Sequence, residues 1–195
     1  MVADGRLRRV VVVGATGAGK STLAGRLAQG LDVPFVELAA LCWGPQWTPA
    51  APDVFRARVD ATSAGPAWVI AGNYGAVRDL RWPRADTIVW LDYPLPLVLA
   101  RLTARTLRRG ITREILWDGN RENVWQHAVV WSERSLLHWL FTTFWRSRRE
   151  FPALFREPAH AHARVVHLRT PRAGREWLAV ECGARAMPPR PGADP

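Results

Sequence analysis

Short runs of consecutive apolar residues, not alternating ones, recur along this chain. "RRVVVVG" (Arg8 to Gly14) is followed by "VPFVEL" (Val33 to Leu38), "AWVIAG" (Ala67 to Gly72), "TIVWLD" (Thr87 to Asp92) and "RVVHL" (Arg164 to Leu168). Runs of this length, rich in β-branched residues, predict strands covered on both faces, the kind found inside a parallel sheet. The stretches between them change period. Ser21 to Leu31 places Leu23, Leu27 and Leu31 on one helical stripe, and Pro94 to Arg109 sets leucines on one side and arginines on the other. Strands alternating with helices predict an α/β domain, a five-stranded parallel sheet flanked by helices.

From Gly110 to about Phe155 the strand pattern stops, and tryptophan-rich helical spacing dense in arginine predicts an insertion, the least core-like part of the chain. Within it Trp125, Trp131, Trp139 and Trp145 read as packing residues. The expected organisation is one domain over 1–183, with the insertion at about 110–155, and a flexible tail over 184–195 that ends "MPPRPGADP".

Composition narrows the class. With 48% hydrophobic and 23% charged residues in 195, a globular domain is expected and wholesale disorder is not. No apolar run approaches the roughly 20 residues needed to span a bilayer, and the first residues lack a secretory pattern, so a cytoplasmic protein without membrane contact is expected. Cys42 and Cys182 are expected as free thiols outside any zinc spacing, and His160 and His162, with no third ligand, as surface histidines. A net charge of +10 points to anionic partners: nucleotides, nucleic acid or phosphorylated small molecules.

One octet carries chemistry. Gly14, Ala15, Thr16, Gly17, Ala18, Gly19, Lys20 and Ser21 fit G-x-x-x-x-G-K-[ST] between a buried strand and an amphipathic helix, the setting such a phosphate loop requires. Glycines let successive N–H groups turn inward to phosphate, and the helix adds its positive end. Lys20 is the one lysine among 27 basic residues, a compact charge suited to β- and γ-phosphates where arginine's planar fork is not. Ser21 is suited to ligate magnesium, and Thr22 follows it into the helix. An acid at the end of a neighbouring strand should hold a magnesium-bound water, and Asp92 stands there, where it could equally cap the next helix. Arg101, Arg105 and Arg109 line one side of that helix, spaced to neutralise a transferring phosphoryl group. Arg113 and Arg121 bracket a turn at Asp118-Gly119-Asn120 and suggest a closing flap or an ordinary helical hairpin. Trp43 and Trp47 could stack on an acceptor or pack a flap on the core; Asn73 and Tyr74 could bond an acceptor, and Arg78 and Arg84 could meet its phosphate or carboxylate.

These segments together resemble the P-loop nucleoside and nucleotide kinase superfamily, specifically small adenylate-kinase-like proteins often described as DNA topology modulation proteins. The residues that carry the resemblance are "GATGAGKST", "VELAALCWGPQWTP", "WVIAGNYGAVRDLRWPRADTIVWLDYP", "RLTARTLRRGITREILWDGNRE" and "VVHLRTPRAGREWL". The resemblance implies a P-loop kinase-like fold with an arginine-rich lid, ATP and Mg2+ as cofactors, and Arg101 and Arg105 as lid-base arginines. It also implies that the "RTPRAG" loop, with Arg169, lies at adenine. Two departures stand out. The family's second strand runs into L-D-x-L-x-W and its third ends D-G-N-Y, whereas here Ala39 and Ala71 take the acidic places. Alanine can neither orient an acceptor nor accept its proton.

The leading expectation is transfer of the γ-phosphate of ATP to a small acceptor, a nucleotide or nucleoside by family weight, by a monomer or homodimer. Asp92 with Glu37 would then supply the acids. A non-catalytic nucleotide-binding regulator is the alternative that the two alanines suggest. A nucleic-acid-binding protein is a third, suggested by charge and interleaved Arg/Trp, and less favoured because no known module is present.

Overall fold

In a computed structural model, which describes residues 7–112, 116, 119–120 and 136–183, the five apolar runs become five parallel strands. They are β1 (Arg9–Gly14), β2 (Phe35–Glu37), β3 (Trp68–Ala71), β4 (Thr87–Leu91) and β5 (Arg164–Leu168), in the spatial order β2-β3-β1-β4-β5. The central position of β1 explains its lack of alternation. Val10 and Val12 pack with α1 (Lys20–Leu31), α5 (Leu95–Thr112) and α7 (Pro171–Glu181) on one face. Val11 and Val13 pack with Trp68, Ile70 and α3 (Pro52–Ser63) on the other. Both faces are dry, so both must be apolar.

The strands are shorter than the apolar runs because adjoining turns and helices take their ends. The Val33 N–H bonds the Ala28 carbonyl at 3.0 Å, closing α1, and the fully buried Leu38 opens the short helix α2 (Leu38–Cys42), leaving three residues for β2. In the other direction, α5 runs on to Thr112, beyond Arg109.

The chief difference lies in the expected insertion. Its C-terminal part forms α6 (Leu136–Leu154), in which Leu140, Phe144 and Phe151 are buried. Leu140 and Phe144 join the core on the α1 face and Phe151 the core on the α3 face, so α6 crosses the C-terminal edge of the sheet. This stretch is core, not periphery. Trp139 and Trp145, expected to pack, are instead 53% and 52% exposed, because they fall one residue off the Leu140–Phe144 stripe. Trp125, Trp131, Arg113, Arg121, Asp118 and the tail lie outside the described residues. No described helix is long and apolar enough to cross a membrane.

Two buried polar side chains stand out, and the first departs from expectation. His160 is 4% exposed and stands edge-on to Trp82, with ring centroids 5.1 Å apart, so it is not a surface histidine; His162 is exposed. Arg81, on the one-turn helix α4 (Arg78–Arg81), is fully buried, and its Nε and Nη1 have no hydrogen-bond partner. Its one bond runs from Nη2 to the Tyr74 carbonyl at 3.4 Å. Desolvation, and then the nearby Arg78, push its pKa down to about 9, so at pH 7 the folded protein carries an unfavourable buried charge. Arg81→Met should therefore raise stability at pH 7 by about 1–4 kcal/mol, the gain seen when buried charges give way to apolar residues of similar volume. Urea unfolding checks this; a lower midpoint would refute it.

Candidate active site

The phosphate loop leaves β1 at Gly14 and enters α1 at Gly19, with φ of 148° at Gly14, 87° at Gly17 and 92° at Gly19. Space as well as φ demands glycine. A Cβ on Gly14 would lie 2.5 Å from the Leu91 carbonyl oxygen, and one on Gly17 would lie 2.7 Å from that of Val98. The loop is thus wedged between the end of β4 and the start of α5. Gly17→Ala should cost about 2–4 kcal/mol, adding backbone strain to overpacking, and lower the affinity for ATP; guanidinium unfolding and calorimetric titration would measure the two losses.

Asn73 fixes the loop from β3's side. Its amide donates to the Gly14 carbonyl at 2.7 Å and accepts from the Gly14 N–H at 3.0 Å, so it braces the loop instead of reaching toward an acceptor. Ala15, Thr16 and Ala18 complete the turn, closed by the Ala18 N–H on the Ala15 carbonyl at 3.1 Å. No side chain caps α1, which leaves its first amide donors directed to the loop.

Lys20 Nζ donates to the Ala15 carbonyl at 3.1 Å. Desolvation, followed by repulsion from Arg105, lowers its pKa to about 8 against the opposing pull of Glu37. Bound phosphate favours the ammonium form, so above pH 8 binding must take up a proton. Affinity for ATP should be flat below pH 8 and fall above it, approaching tenfold per pH unit. Titration calorimetry in buffers of differing ionisation enthalpy would show the proton uptake, and a flat profile to pH 9.5 would contradict it.

The Ser21 hydroxyl donates to the Glu37 carboxylate in a short hydrogen bond. Sheet register sets Glu37, on the adjacent strand, directly beside Ala71, which is 2% exposed. Ala39 is half-buried on α2, and Thr22 is exposed on the first turn of α1. From α5, Arg101 Nη1 donates to the Ala18 carbonyl at 3.4 Å, with its guanidinium 5.6 Å over the Tyr93 ring. Arg105 is close enough to Lys20 to depress its pKa, and Arg109 follows one turn later.

Asp92 is engaged by two residues that the sequence did not single out. Arg148 Nε of α6 lies 2.5 Å from its Oδ1, and His167 Nε2 of β5 lies 2.9 Å from its Oδ2. The Arg148 guanidinium also reaches the Asp92 and Tyr93 carbonyls at 3.4 Å and 3.2 Å. Strand register could have suggested His167, which pairs with Trp90 two residues before Asp92. Nothing local marks Arg148, 56 residues away on a helix that only tertiary packing lays across the sheet edge. Arg169 lines a cleft with Trp90 and His167.

On the acceptor side, Trp43 Nε1 donates to the Tyr74 hydroxyl at 3.1 Å, and Trp43 and Trp47 meet edge to face at 6.0 Å. Burial raises the Tyr74 pKa, keeping the phenol neutral. The buried Asn120 clasps this loop, accepting from the Trp47 N–H at 2.9 Å and donating to the Gly44 carbonyl at 2.8 Å. Arg78 lies 5.1 Å over the Trp82 ring. Arg84 is placed elsewhere than an acceptor would need: it bonds Asp60 at 2.7 Å and the Ser63 hydroxyl at 2.7 Å, bracing α3.

No family model and no curated protein matches the chain by sequence. Among solved structures it is similar to the shikimate kinase from Aquifex aeolicus vf5, at 17% identity and a TM-score of 0.51 over 92% of this chain and 99% of that one. It is also similar to a gluconokinase from Sinorhizobium meliloti 1021, at 20% identity and a TM-score of 0.49 over 90% and 94% of the two chains. A shikimate kinase from Acinetobacter baumannii in complex with shikimate matches at 19% identity and 0.46 over 93% and 96%. The chain has the P-loop nucleotide-kinase-like fold.

Proposed function

We propose that this protein binds ATP at the loop from Gly14 to Ser21 and transfers its γ-phosphate to a small acceptor. The observation that carries the proposal is the convergence of Lys20, Ser21 and Glu37 at the mouth of the glycine-walled loop. Loop amides and Lys20 would hold the β- and γ-phosphates, and Arg101 and Arg105 would offset charge on the group in transfer. The Ser21 hydroxyl and Glu37 carboxylate, already bonded to each other, form a hard oxygen donor pair that fits Mg2+. When bound there, Mg2+ would neutralise phosphate charge. Asp92, held by Arg148 and His167, would act on this site through its position at the sheet edge. The acceptor would lie between the Trp43 to Arg58 segment and the Asn73 to Arg84 loop, with Tyr74 and Arg78 as its nearest polar groups; a nucleotide or nucleoside is the acceptor proposed. A coupled ADP-release assay across nucleoside monophosphates, nucleosides and polyol acids tests this. Measurable ATP binding without turnover on any acceptor would sink it.

One observation favours a second reading, a nucleotide-binding regulator without turnover. The Asp92 carboxylate is already engaged by Arg148 and His167, and Ala71 occupies the strand end beside Glu37. If the alanines silenced an active site, Ala39→Asp with Ala71→Asp should raise phosphotransfer; no gain in a folded double variant would count against that account.

A further inference from the structure

A cleft of about 830 Å3 opens at the ends of β4 and β5, on the sheet face that carries Trp90 and Phe155. The phosphate loop belongs to the other face, where Ala15 and Ala18 pack with α1 and α5. We propose that this cleft is a second ligand site, for a small organic anion with a planar apolar body.

Its floor is flat and apolar. The His167 ring lies over Trp90, which is 7% exposed, with centroids 4.1 Å apart and planes 5° from parallel, so His167 presents the outer face of the pair; Phe155 stands 5.7 Å from Trp90. Val165, 38% exposed, extends this surface along the edge strand β5. The rim is cationic. Arg148, Arg156 and Arg169 line it, and the side chains of Arg156 and Arg169 make no ion pair or hydrogen bond among the described residues. The carboxylate in the lining, Asp92, is held by Arg148 and His167 and leaves these two arginines uncompensated.

Each part of the cleft selects one part of a ligand. A planar body stacks on the outer face of His167, backed by Trp90, and under a guanidinium, which attracts a π face as well as an anion. A carboxylate or phosphate meets an arginine fork through paired charge-assisted hydrogen bonds. A neutral ring leaves the arginines to water, and a bare phosphate leaves the floor uncovered. The volume lies within the roughly 300–1,000 Å3 of small-molecule sites. The same chemistry is met by a mononucleotide and by an aromatic carboxylate.

Equilibrium dialysis of the full chain against AMP and against 2-aminobenzoate tests the site, with adenosine, aniline and inorganic phosphate as partial ligands. The site is supported if either probe binds at least tenfold more tightly than its neutral analogue and than phosphate. Its binding must also weaken about tenfold in Arg156→Glu and in Val165→Asp while ATP affinity stays within twofold. Whichever probe binds then names the source. Both substitutions are at exposed positions, and Arg156→Gln provides a milder variant should either disturb folding, which circular dichroism would reveal. Failure of both probes to bind at millimolar concentration, or binding indifferent to all three variants, overturns the proposal. So does probe binding that is lost in Lys20→Met, which would assign the probe to the phosphate loop.

Discussion

Lys20→Met should lose ATP binding by about 2–5 kcal/mol, roughly thirtyfold to several thousandfold, while the fold survives. Removing the charge leaves phosphate desolvated within the loop without its cation, a larger loss than the one hydrogen bond to Ala15. The fold should tolerate the change because desolvation and Arg105 disfavour the Lys20 ammonium in the free protein, and an apolar chain of similar length relieves that penalty. Isothermal titration with ATP and thermal melting would separate the two effects. Unchanged affinity would show that nucleotide does not bind at this loop. Lys20→Arg is informative beside it: charge is kept, but a planar fork replaces a compact ammonium, so much of the loss should persist.

Asp92→Asn should cost about 1–3 kcal/mol of stability, and Arg148→Met should cost much the same, because each leaves the other's polar group part-buried without its partner. The Asp92 side chain is 13% exposed and that of Arg148 is 30% exposed, so solvent screens this pair less than a surface one. The double variant should be less destabilised than the sum of the singles, and that difference measures the tie between β4 and α6. Phosphotransfer distinguishes the two duties of Asp92. If its carboxylate serves magnesium as well as Arg148, Asp92→Asn should lower kcat far more than Arg148→Met at matched fraction folded. Equal small effects would assign Asp92 to structure alone.

Much of the fold was legible in the sequence because its signals are local. Val10 to Val13 read as a doubly buried strand from four adjacent residues, and the glycine spacing from Gly14 to Gly19 reports a backbone requirement that φ and close contacts then explain. The helical phase of Leu23 and Leu27 placed α1 on its core face. The candidate site was legible only in part. Lys20 and Ser21 belong to one contiguous motif, whereas Glu37 meets Ser21 across 16 residues and Arg148 meets Asp92 across 56, and no periodicity encodes such meetings.

The same limit explains the misreadings. Asn73 and Arg84 carry the right chemistry for an acceptor, but the loop after β3 and the turn after α4 that hold them aim one at Gly14 and the other at Asp60. His160 looks solvent-loving by residue type and is buried by Trp82. Arginine and tryptophan density made residues 136–154 look peripheral, yet the stripe of Leu140, Phe144 and Phe151 draws that helix over the sheet edge. By itself the sequence determined the parallel α/β architecture and a phosphate loop with its lysine, since both follow from short-range periodicity and backbone geometry. Tertiary structure alone decided which carboxylate faces Ser21, which side chains hold Asp92 and where a cationic, aromatic-floored cleft opens, because each depends on which distant side chains packing brings into contact.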